Sequence, residues 1–108
     1  MKTIIDENQK VLTQITIFDV APENMEPFMD MMITDAEVLG KYPGLVSISL
    51  HKSFDGSKAV NYVQFRDQDA RDGFHSTPDF QALLGRVKSL VRSVQPLLYE
   101  VVYTCHEG

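Results

Sequence analysis

Residues 43–65 read PGLVSISLHKSFDGSKAVNYVQF and combine two alternating apolar-polar runs with a turn signal between them. The runs predict a strand over residues 45–52 and a second strand over residues 58–65. Asp55 and Gly56 between them are typical of a tight hairpin turn, because glycine adopts the positive φ that such turns require. Three side chains of the first strand are expected to share an apolar face: Val46, Ile48 and Leu50. The segment therefore predicts an antiparallel hairpin.

The residues before this hairpin predict a strand followed by a helix. Residues 11–20, VLTQITIFDV, are rich in β-branched and aromatic side chains, which favours a strand. Asn24 is expected to cap the helix, with Pro27 in the first turn, where its missing N–H is harmless. The helix is expected to end at Gly40. Its apolar stripe comprises Met25, Phe28, Met32, Ala36 and Leu39.

The residues after the hairpin predict two helical segments and a last strand. Asp67 is expected to open a short helix that ends near His75. Thr77 is expected to cap the next helical segment, which ends before Pro96, and residues 97–105 are predicted to form the last strand. The apolar stripe of the second segment comprises Phe80, Leu83, Leu84, Val87 and Leu90.

The predicted elements follow the order βαββαβ. Right-handed crossovers that join parallel strands with one strand between them give a ferredoxin-like α+β fold, with a four-stranded antiparallel sheet of order 4-1-3-2. We expect residues 11–108 to form this single domain and residues 1–10 to be a flexible arm. Helices would cover one face of the sheet. The other face is partly apolar, which predicts a homodimer in which two sheets pack together.

Charge and composition restrict the expected partners and location. The 108 residues carry a net charge of -5, and their ten Lys and Arg residues are scattered, so neither nucleic acid nor an anionic membrane is expected as a partner. No apolar run approaches the roughly 20 residues of a membrane helix. Residues 1–10 contain no signal-peptide core, so a cytoplasmic location is expected. Cys105 is the single cysteine, and no Cys/His cluster predicts a metal site.

Two amide side chains fall on a sheet face that is otherwise mostly apolar. Gln14 shares a face of the first strand with Phe18, and Asn61 shares a face of the third strand with Phe65. These strands are expected to be neighbours at the centre of the sheet. A buried amide without a hydrogen bond costs about 1–3 kcal/mol. Two interpretations stay open: each amide satisfies a backbone group or a water, or both belong to an apolar pocket with a few fixed polar groups.

Several segments resemble the antibiotic-biosynthesis monooxygenase family. The hairpin carries a Pro-Gly entry, an Asp-Gly turn and the sequence NYVQF, and the similarity extends through VAPENMEPF and FHSTPDF. The resemblance implies a dimeric α+β barrel. The most similar branch is the cofactor-independent, quinone-forming oxygenases of aromatic polyketide pathways, which oxidise anthrone-like phenols. A monooxygenase that acts on a small aromatic substrate and O₂, without metal, flavin or haem, is therefore implied.

The same resemblance assigns roles to individual residues. Asn61 matches the family's pocket asparagine, and Gln14 falls where that branch often has another asparagine. Both are implied as catalytic hydrogen-bond donors to a developing oxyanion or peroxide. Arg71 stands where the branch has a tyrosine. The residues implied in substrate binding are Phe65, at a position where the branch usually has tryptophan, together with Tyr62 and Arg86, which lies close to the position of a pocket arginine.

His75 is the histidine expected nearest to this pocket, and its role has three interpretations. It can assist catalysis as a base near neutral pH, which is the role we predict. Its spacing of ten residues from Phe65 resembles the haem-degrading branch of the superfamily, in which a helix histidine ligates iron. It can also be a partly exposed residue at a helix end. The alternatives to a monooxygenase are therefore a haem-binding or haem-degrading protein and a non-catalytic dimeric module that binds a small ligand.

Overall fold

A computed structural model describes residues 2–107, so that Met1 of the predicted arm and Gly108 of the predicted domain lie outside the described residues. The elements are β1 (Leu12–Val20), α1 (Pro22–Leu39), β2 (Leu45–Lys52), β3 (Lys58–Phe65), α2 (Gln68–His75), α3 (Pro78–Leu90) and β4 (Val91–Tyr99). The sheet has the order β2-β3-β1-β4, and each neighbouring pair is antiparallel. The predicted ferredoxin-like α+β fold is confirmed.

The hairpin of β2 and β3 has the predicted bounds and a turn that is held by its own side chains. Gly56 takes a φ of +76°, which explains why glycine stands there. The Asp55 carboxylate accepts hydrogen bonds from the Ser53 hydroxyl and from the hydroxyl and amide of Ser57. The Ser53 and Ser57 donors lower the pKa of Asp55 to about 2. The turn therefore fixes the register of the two strands.

A β-bulge at the start of β2 changes the alternation that the sequence predicts. Leu45 pairs with Phe65, and the register then shifts, which leaves Val46 as the extra residue. Leu45 consequently lies with Ile48 and Leu50 on the face that the helices cover. The predicted apolar face of this strand is therefore correct for Ile48 and Leu50 and wrong at its first position.

Helix α1 begins earlier than the sequence predicts, and Asn24 is not its cap. Ala21 is the N-cap residue, in an extended conformation and without a side-chain cap, and Pro22 occupies the first turn. Asn24 instead lies inside the first turn, where its Nδ2 donates to the Leu90 carbonyl oxygen at 3.3 Å. This hydrogen bond ties the start of α1 to the end of α3.

Strand β4 also begins earlier than predicted. It starts at Val91, directly after α3, and Pro96 lies inside it opposite Thr16. The prediction of a strand over residues 97–105 is therefore wrong at both ends. Proline is tolerated in this strand because β4 is an edge strand, so that its backbone needs a partner on one side only.

Within residues 2–107, the apolar core between the sheet and the helices comprises two clusters. Helices α2 and α3 begin at the predicted caps: Asp67 accepts from the Ala70 amide at 2.8 Å, and Thr77 accepts from the Phe80 amide at 3.2 Å. The larger cluster packs α1 and α3 on the sheet and comprises Phe18, Val20, Met25, Phe28, Met32, Ala59, Leu83 and Val87. The smaller cluster lies under α2 and comprises Leu45, Val63, Phe65 and Phe74.

The N-terminal residues lie against the sheet face that the helices leave open. Gln64 is fully buried there: its Nε2 donates to the Ile4 carbonyl oxygen at 2.8 Å, and its Oε1 accepts from the Ser47 hydroxyl at 2.7 Å. The hydroxyls of Thr3 and Ser49 are 2.7 Å apart. These contacts place the arm on the open face, and the flexibility expected for residues 1–10 stays a prediction.

Candidate active site

A cavity of about 210 Å³ lies between the sheet and the helices and is bounded by residues of both core clusters. Its wall is mostly apolar. The polar residues of the wall are Gln14, Thr16, Asn61, Arg71 and His75. An apolar cavity with a few converging polar groups is the usual form of a small-molecule site.

Strands β1 and β3 supply the polar floor of the cavity. Gln14 pairs with Val63 and Thr16 pairs with Asn61, so all three polar side chains project from the same sheet face. Gln14 Nε2 donates to Thr16 Oγ1 at 3.4 Å. Among residues 2–107, the buried Oδ1 of Asn61 finds no hydrogen-bond partner. A buried acceptor without a partner costs about 1–3 kcal/mol. Asn61 Oδ1 is therefore free to accept a hydrogen bond from a ligand, which would remove this cost.

Helix α2 brings an arginine onto the second amide of the floor. Arg71 Nε donates to Gln14 Oε1 at 3.1 Å, and Arg71 Nη1 donates to Asp72 Oδ1 at the same distance. The Arg71 side chain is only 26% exposed, whereas that of Asp72 is 54% exposed. Since Arg71 engages the Gln14 oxygen, the amide group is oriented with its NH₂ toward Thr16, its neighbour in the floor of the cavity.

His75 lies one helical turn after Arg71 and is surrounded by aromatic rings. Its ring stacks on that of Phe80, with 4.2 Å between the centroids. Two further rings meet it at a steep angle, those of Phe65 and Phe74. Burial and then the charge of Arg71 lower the pKa of His75 to about 4, although Asp72 acts in the opposite direction. The imidazole is therefore neutral near pH 7 and can accept a hydrogen bond.

The structure brings four of the six site residues predicted from sequence into the cavity wall: Gln14, Asn61, Phe65 and His75. Tyr62 pairs with Ile15 on the opposite face of the sheet. Arg86 lies on the exposed side of α3, where its Nη2 contacts Asp35 Oδ2 at 3.0 Å. The structure does not bring Tyr62 or Arg86 to the cavity, and the roles of all six residues stay predictions.

Sequence reasoning missed Arg71 as a residue of the site and treated it only as a replacement for tyrosine. A signal was available, because Arg71 and His75 are four residues apart on α2 and so share one helix face. If His75 faces the cavity, Arg71 does so as well. Thr16 was also missed, although it alternates with Gln14 on β1.

Within residues 2–107, no group of three or more His, Cys, Asp or Glu side chains could hold a metal ion. None of the helices in this range is long and apolar enough to cross a membrane.

The wall of the cavity offers an apolar ligand hydrogen-bond donors and acceptors, the positive charge of Arg71 and the neutral imidazole of His75.

Comparison with known proteins identifies the family. Residues 11–86 match the family described as antibiotic biosynthesis monooxygenase. The chain belongs to the antibiotic biosynthesis monooxygenase family. Among characterised members, tetracenomycin-F1 monooxygenase of Streptomyces glaucescens is 31% identical over 101 residues, which are 93% of this chain and 89% of that protein. The resemblance inferred from sequence is therefore confirmed.

Solved structures of similar proteins confirm the fold of this antibiotic biosynthesis monooxygenase family member. SnoaB of Streptomyces nogalater, described as a cofactor-independent oxygenase, has a TM-score of 0.78 at 23% identity, over 90% of this chain and 98% of its own. A conserved protein from Methanosarcina mazei has a TM-score of 0.79 at 12% identity, over 87% of this chain and 95% of its own. At these identities the similarity shows the fold alone.

Proposed function

We propose that this protein is a cofactor-independent monooxygenase that oxidises an electron-rich phenolic or anthrone-like small molecule with O₂. The observation that carries the proposal is the buried, unpartnered Asn61 oxygen in an apolar cavity, beside the oriented amide of Gln14. Two comparisons support it: the 31% identity to tetracenomycin-F1 monooxygenase and the fold of SnoaB, which is described as cofactor-independent.

The floor of the cavity would orient the substrate. A phenolic hydroxyl can donate to Asn61 Oδ1, which accepts no other hydrogen bond within the described residues. The Gln14 NH₂ donates one hydrogen bond to Thr16 Oγ1, and its second N–H can donate to another oxygen of the same ring system. The phenylalanines and aliphatic residues of the wall would contact the ring faces and exclude water. Fixed orientation in a dry site is a large part of what such a reaction needs.

The proposed chemistry uses only the substrate and O₂. The substrate hydroxyl first loses its proton. The electron-rich anion then transfers one electron to O₂, and the resulting radical and superoxide combine to form a carbon-oxygen bond. The peroxide formed takes up a proton and, with loss of the proton on the same carbon, eliminates water to leave a carbonyl group. The NH₂ groups of Gln14 and Asn61 would stabilise the oxyanion and the peroxide by donating hydrogen bonds.

His75 would assist this reaction as a neutral hydrogen-bond acceptor. Its half-buried ring lies in the cavity wall, and burial lowers its pKa to about 4. Because this pKa lies well below 7, His75 would not retain the substrate proton near neutral pH and is a weak general base there. The proton would pass to solvent. The loss of His75 should therefore weaken the reaction without abolishing it.

The alternative of a haem protein fits the residues of the cavity less well. A metal-ligating histidine usually donates its second ring N–H to an acceptor that fixes the orientation of the ring. No described residue forms a hydrogen bond with the His75 ring, and one face of the ring is covered by Phe80 at a centroid distance of 4.2 Å. The described residues therefore supply no partner that would orient His75 as an iron ligand, and we propose no role for haem.

The assembly and location that we propose are a homodimer in the cytoplasm. Apolar side chains stay exposed on the open face of the sheet and on β4, with Ile17 at 39%, Leu97 at 62% and Tyr99 at 42%. A second copy would cover them. The proposed partners are therefore another copy of this chain, a small aromatic substrate and O₂.

Oxygen uptake with dithranol, a simple anthrone, tests the proposed function. The purified protein, with a chelator and without any added cofactor, should accelerate O₂ consumption well above that of buffer and of heat-denatured protein. Binding of dithranol without faster O₂ consumption would instead indicate the non-catalytic ligand-binding module. A Soret band on addition of haemin that disappears in His75→Ala would indicate the haem protein.

A further inference from the structure

Arg71 has donors that the fold does not use. Its Nε bonds to Gln14 and its Nη1 bonds to Asp72, but its Nη2 forms no hydrogen bond with any described residue. The side chain lines the cavity and is only 26% exposed. A guanidinium presents five N–H donors in a fixed plane, which suits the recognition of an anionic oxygen.

The charge of Arg71 is not balanced inside the cavity. Of the residues that the structure describes in the cavity wall, Arg71 is the only one with a permanent charge, and His75 is the only other titratable one. The Asp72 carboxylate, 3.1 Å from Nη1, is 54% exposed and is shared with Gln68. Solvent therefore screens Asp72 more strongly than it would screen an anion enclosed in the cavity.

We infer that Arg71 is an anion-binding residue that selects ligands with an ionisable hydroxyl and binds them as the oxyanion. The inference rests on the proposed function, because it names the ionised form of the substrate that the cavity takes. An opposite charge within about 4–6 Å favours the charged form of an acid and lowers its pKa by about 1–3. Arg71 thus supplies what His75 cannot, since it promotes ionisation of the substrate without a base that retains the proton.

The test uses alizarin, a hydroxyanthraquinone that changes colour when it ionises and is already oxidised, so that its binding is read without turnover. Spectrophotometric titration gives the pKa of free and protein-bound alizarin. We expect the wild-type protein to lower this pKa by about 1–3. Arg71→Gln should abolish the shift, Arg71→Lys should keep part of it, and Arg66→Gln should keep all of it. Arg66 is a matched control because its side chain is 64% exposed and its guanidinium pairs with Asp67.

The dimethyl ether of alizarin separates charge recognition from a structural role, because it has the same rings and no ionisable hydroxyl. Arg71→Gln should weaken binding of the alizarin anion at least tenfold and leave binding of the ether within about twofold. An equal loss for both probes, an unchanged alizarin pKa shift in Arg71→Gln, or no binding of alizarin to the wild-type protein would each overturn the inference. A normal shift in a protein that fails to oxidise dithranol would reject the oxygenase function and leave the anion site in place.

Discussion

Two amide side chains on β3 show how the two faces of one strand acquire different roles. Asn61 faces the cavity and its Oδ1 has no described partner, whereas Gln64, on the open face, has its oxygen and its NH₂ group both hydrogen-bonded. A satisfied buried amide contributes to stability, and an unsatisfied one is retained at a cost. We therefore propose that the hydrogen-bond partner of Asn61 arrives with the ligand.

Substitution of these two residues should therefore give opposite results. Asn61→Ala should lower turnover about 100-fold, because it removes hydrogen bonds to the reacting oxygens, and should leave the melting temperature almost unchanged. Gln64→Ala should cost about 1–3 kcal/mol of stability and leave the turnover of the folded protein almost unchanged. Thermal melting and dithranol oxidation of both variants check this. A fully active Asn61→Ala protein would remove Asn61 from the site.

The lowered pKa of His75 predicts a pH dependence of stability. Its pKa is about 4 in the folded protein, against 6.5 for an unperturbed histidine, so the unfolded chain takes up a proton first as the pH falls. Wild-type stability should therefore decrease between these two pH values, by on the order of 1 kcal/mol after allowance for the partial exposure of the ring. His75→Gln should lack this loss. Melting temperatures at neutral and acidic pH measure it, and parallel curves for the two proteins would contradict the assignment.

The floor of the site could be predicted from the sequence, but its electrostatics could not. Alternation on β1 and β3 was sufficient to place Gln14 and Asn61 on one face. The contact between Arg71 and Gln14 joins α2 to β1 across 57 positions of the chain, and no local pattern reports such a contact. The direction of the His75 pKa shift depends on how far aromatic rings cover the imidazole, which the sequence leaves open.

At the scale of elements, local turn chemistry predicted most boundaries correctly, and the errors at α1 and β4 have different causes. The hairpin and the caps of α2 and α3 follow from Asp55-Gly56, Asp67 and Thr77. Asn24 was a reasonable cap by residue type, but Pro22 fixes an earlier start of α1. The position of Pro96 inside β4 depends on that strand lying at the sheet edge, which only the assembled sheet shows.

Glycine substitutions test how tightly α2 is docked on the hairpin. Gly44 has a φ of +87°, and a Cβ there would lie 2.6 Å from Ala70 Cβ on α2; at Gly56 the φ is +76° and the space is open. Gly56→Ala should cost about 1–2 kcal/mol of backbone strain. Gly44→Ala should cost more and should also lower activity, because the helix that carries Arg71 must move.

Gly85→Ala is the matched control for these variants. Gly85 lies in α3, and nothing lies within 4 Å of the position that an alanine Cβ would take there, so alanine should raise stability by about 0.5–1 kcal/mol. Melting temperatures then order the proteins as Gly85→Ala, wild type, Gly56→Ala and Gly44→Ala, from high to low. A Gly44→Ala protein as stable as Gly56→Ala would show that α2 is not held against the hairpin as described.

At the scale of the whole molecule, helices cover one sheet face, and N-terminal residues of the described range 2–107 lie against part of the other. We predict a homodimer that buries about 2,000 Å² or more through this open face. Leu97→Asp, which places a charge opposite Ile15, should shift the protein toward monomer, and Val38→Asp, on exposed α1 surface, should not. Light scattering at micromolar concentration measures both. A monomeric wild-type protein would contradict the prediction.

We propose above all that this cavity lets O₂ react with a bound phenolic substrate without a cofactor. The test is to oxidise dithranol under ¹⁸O₂ with the protein in the presence of a metal chelator. Mass spectrometry of the quinone then shows where its new oxygen comes from. We expect the enzyme-dependent product to carry one ¹⁸O atom in its new carbonyl group, and Asn61→Ala to form this product about 100-fold more slowly. A labelled quinone that forms no faster with the protein than in buffer, or a new oxygen that comes from water, would contradict it.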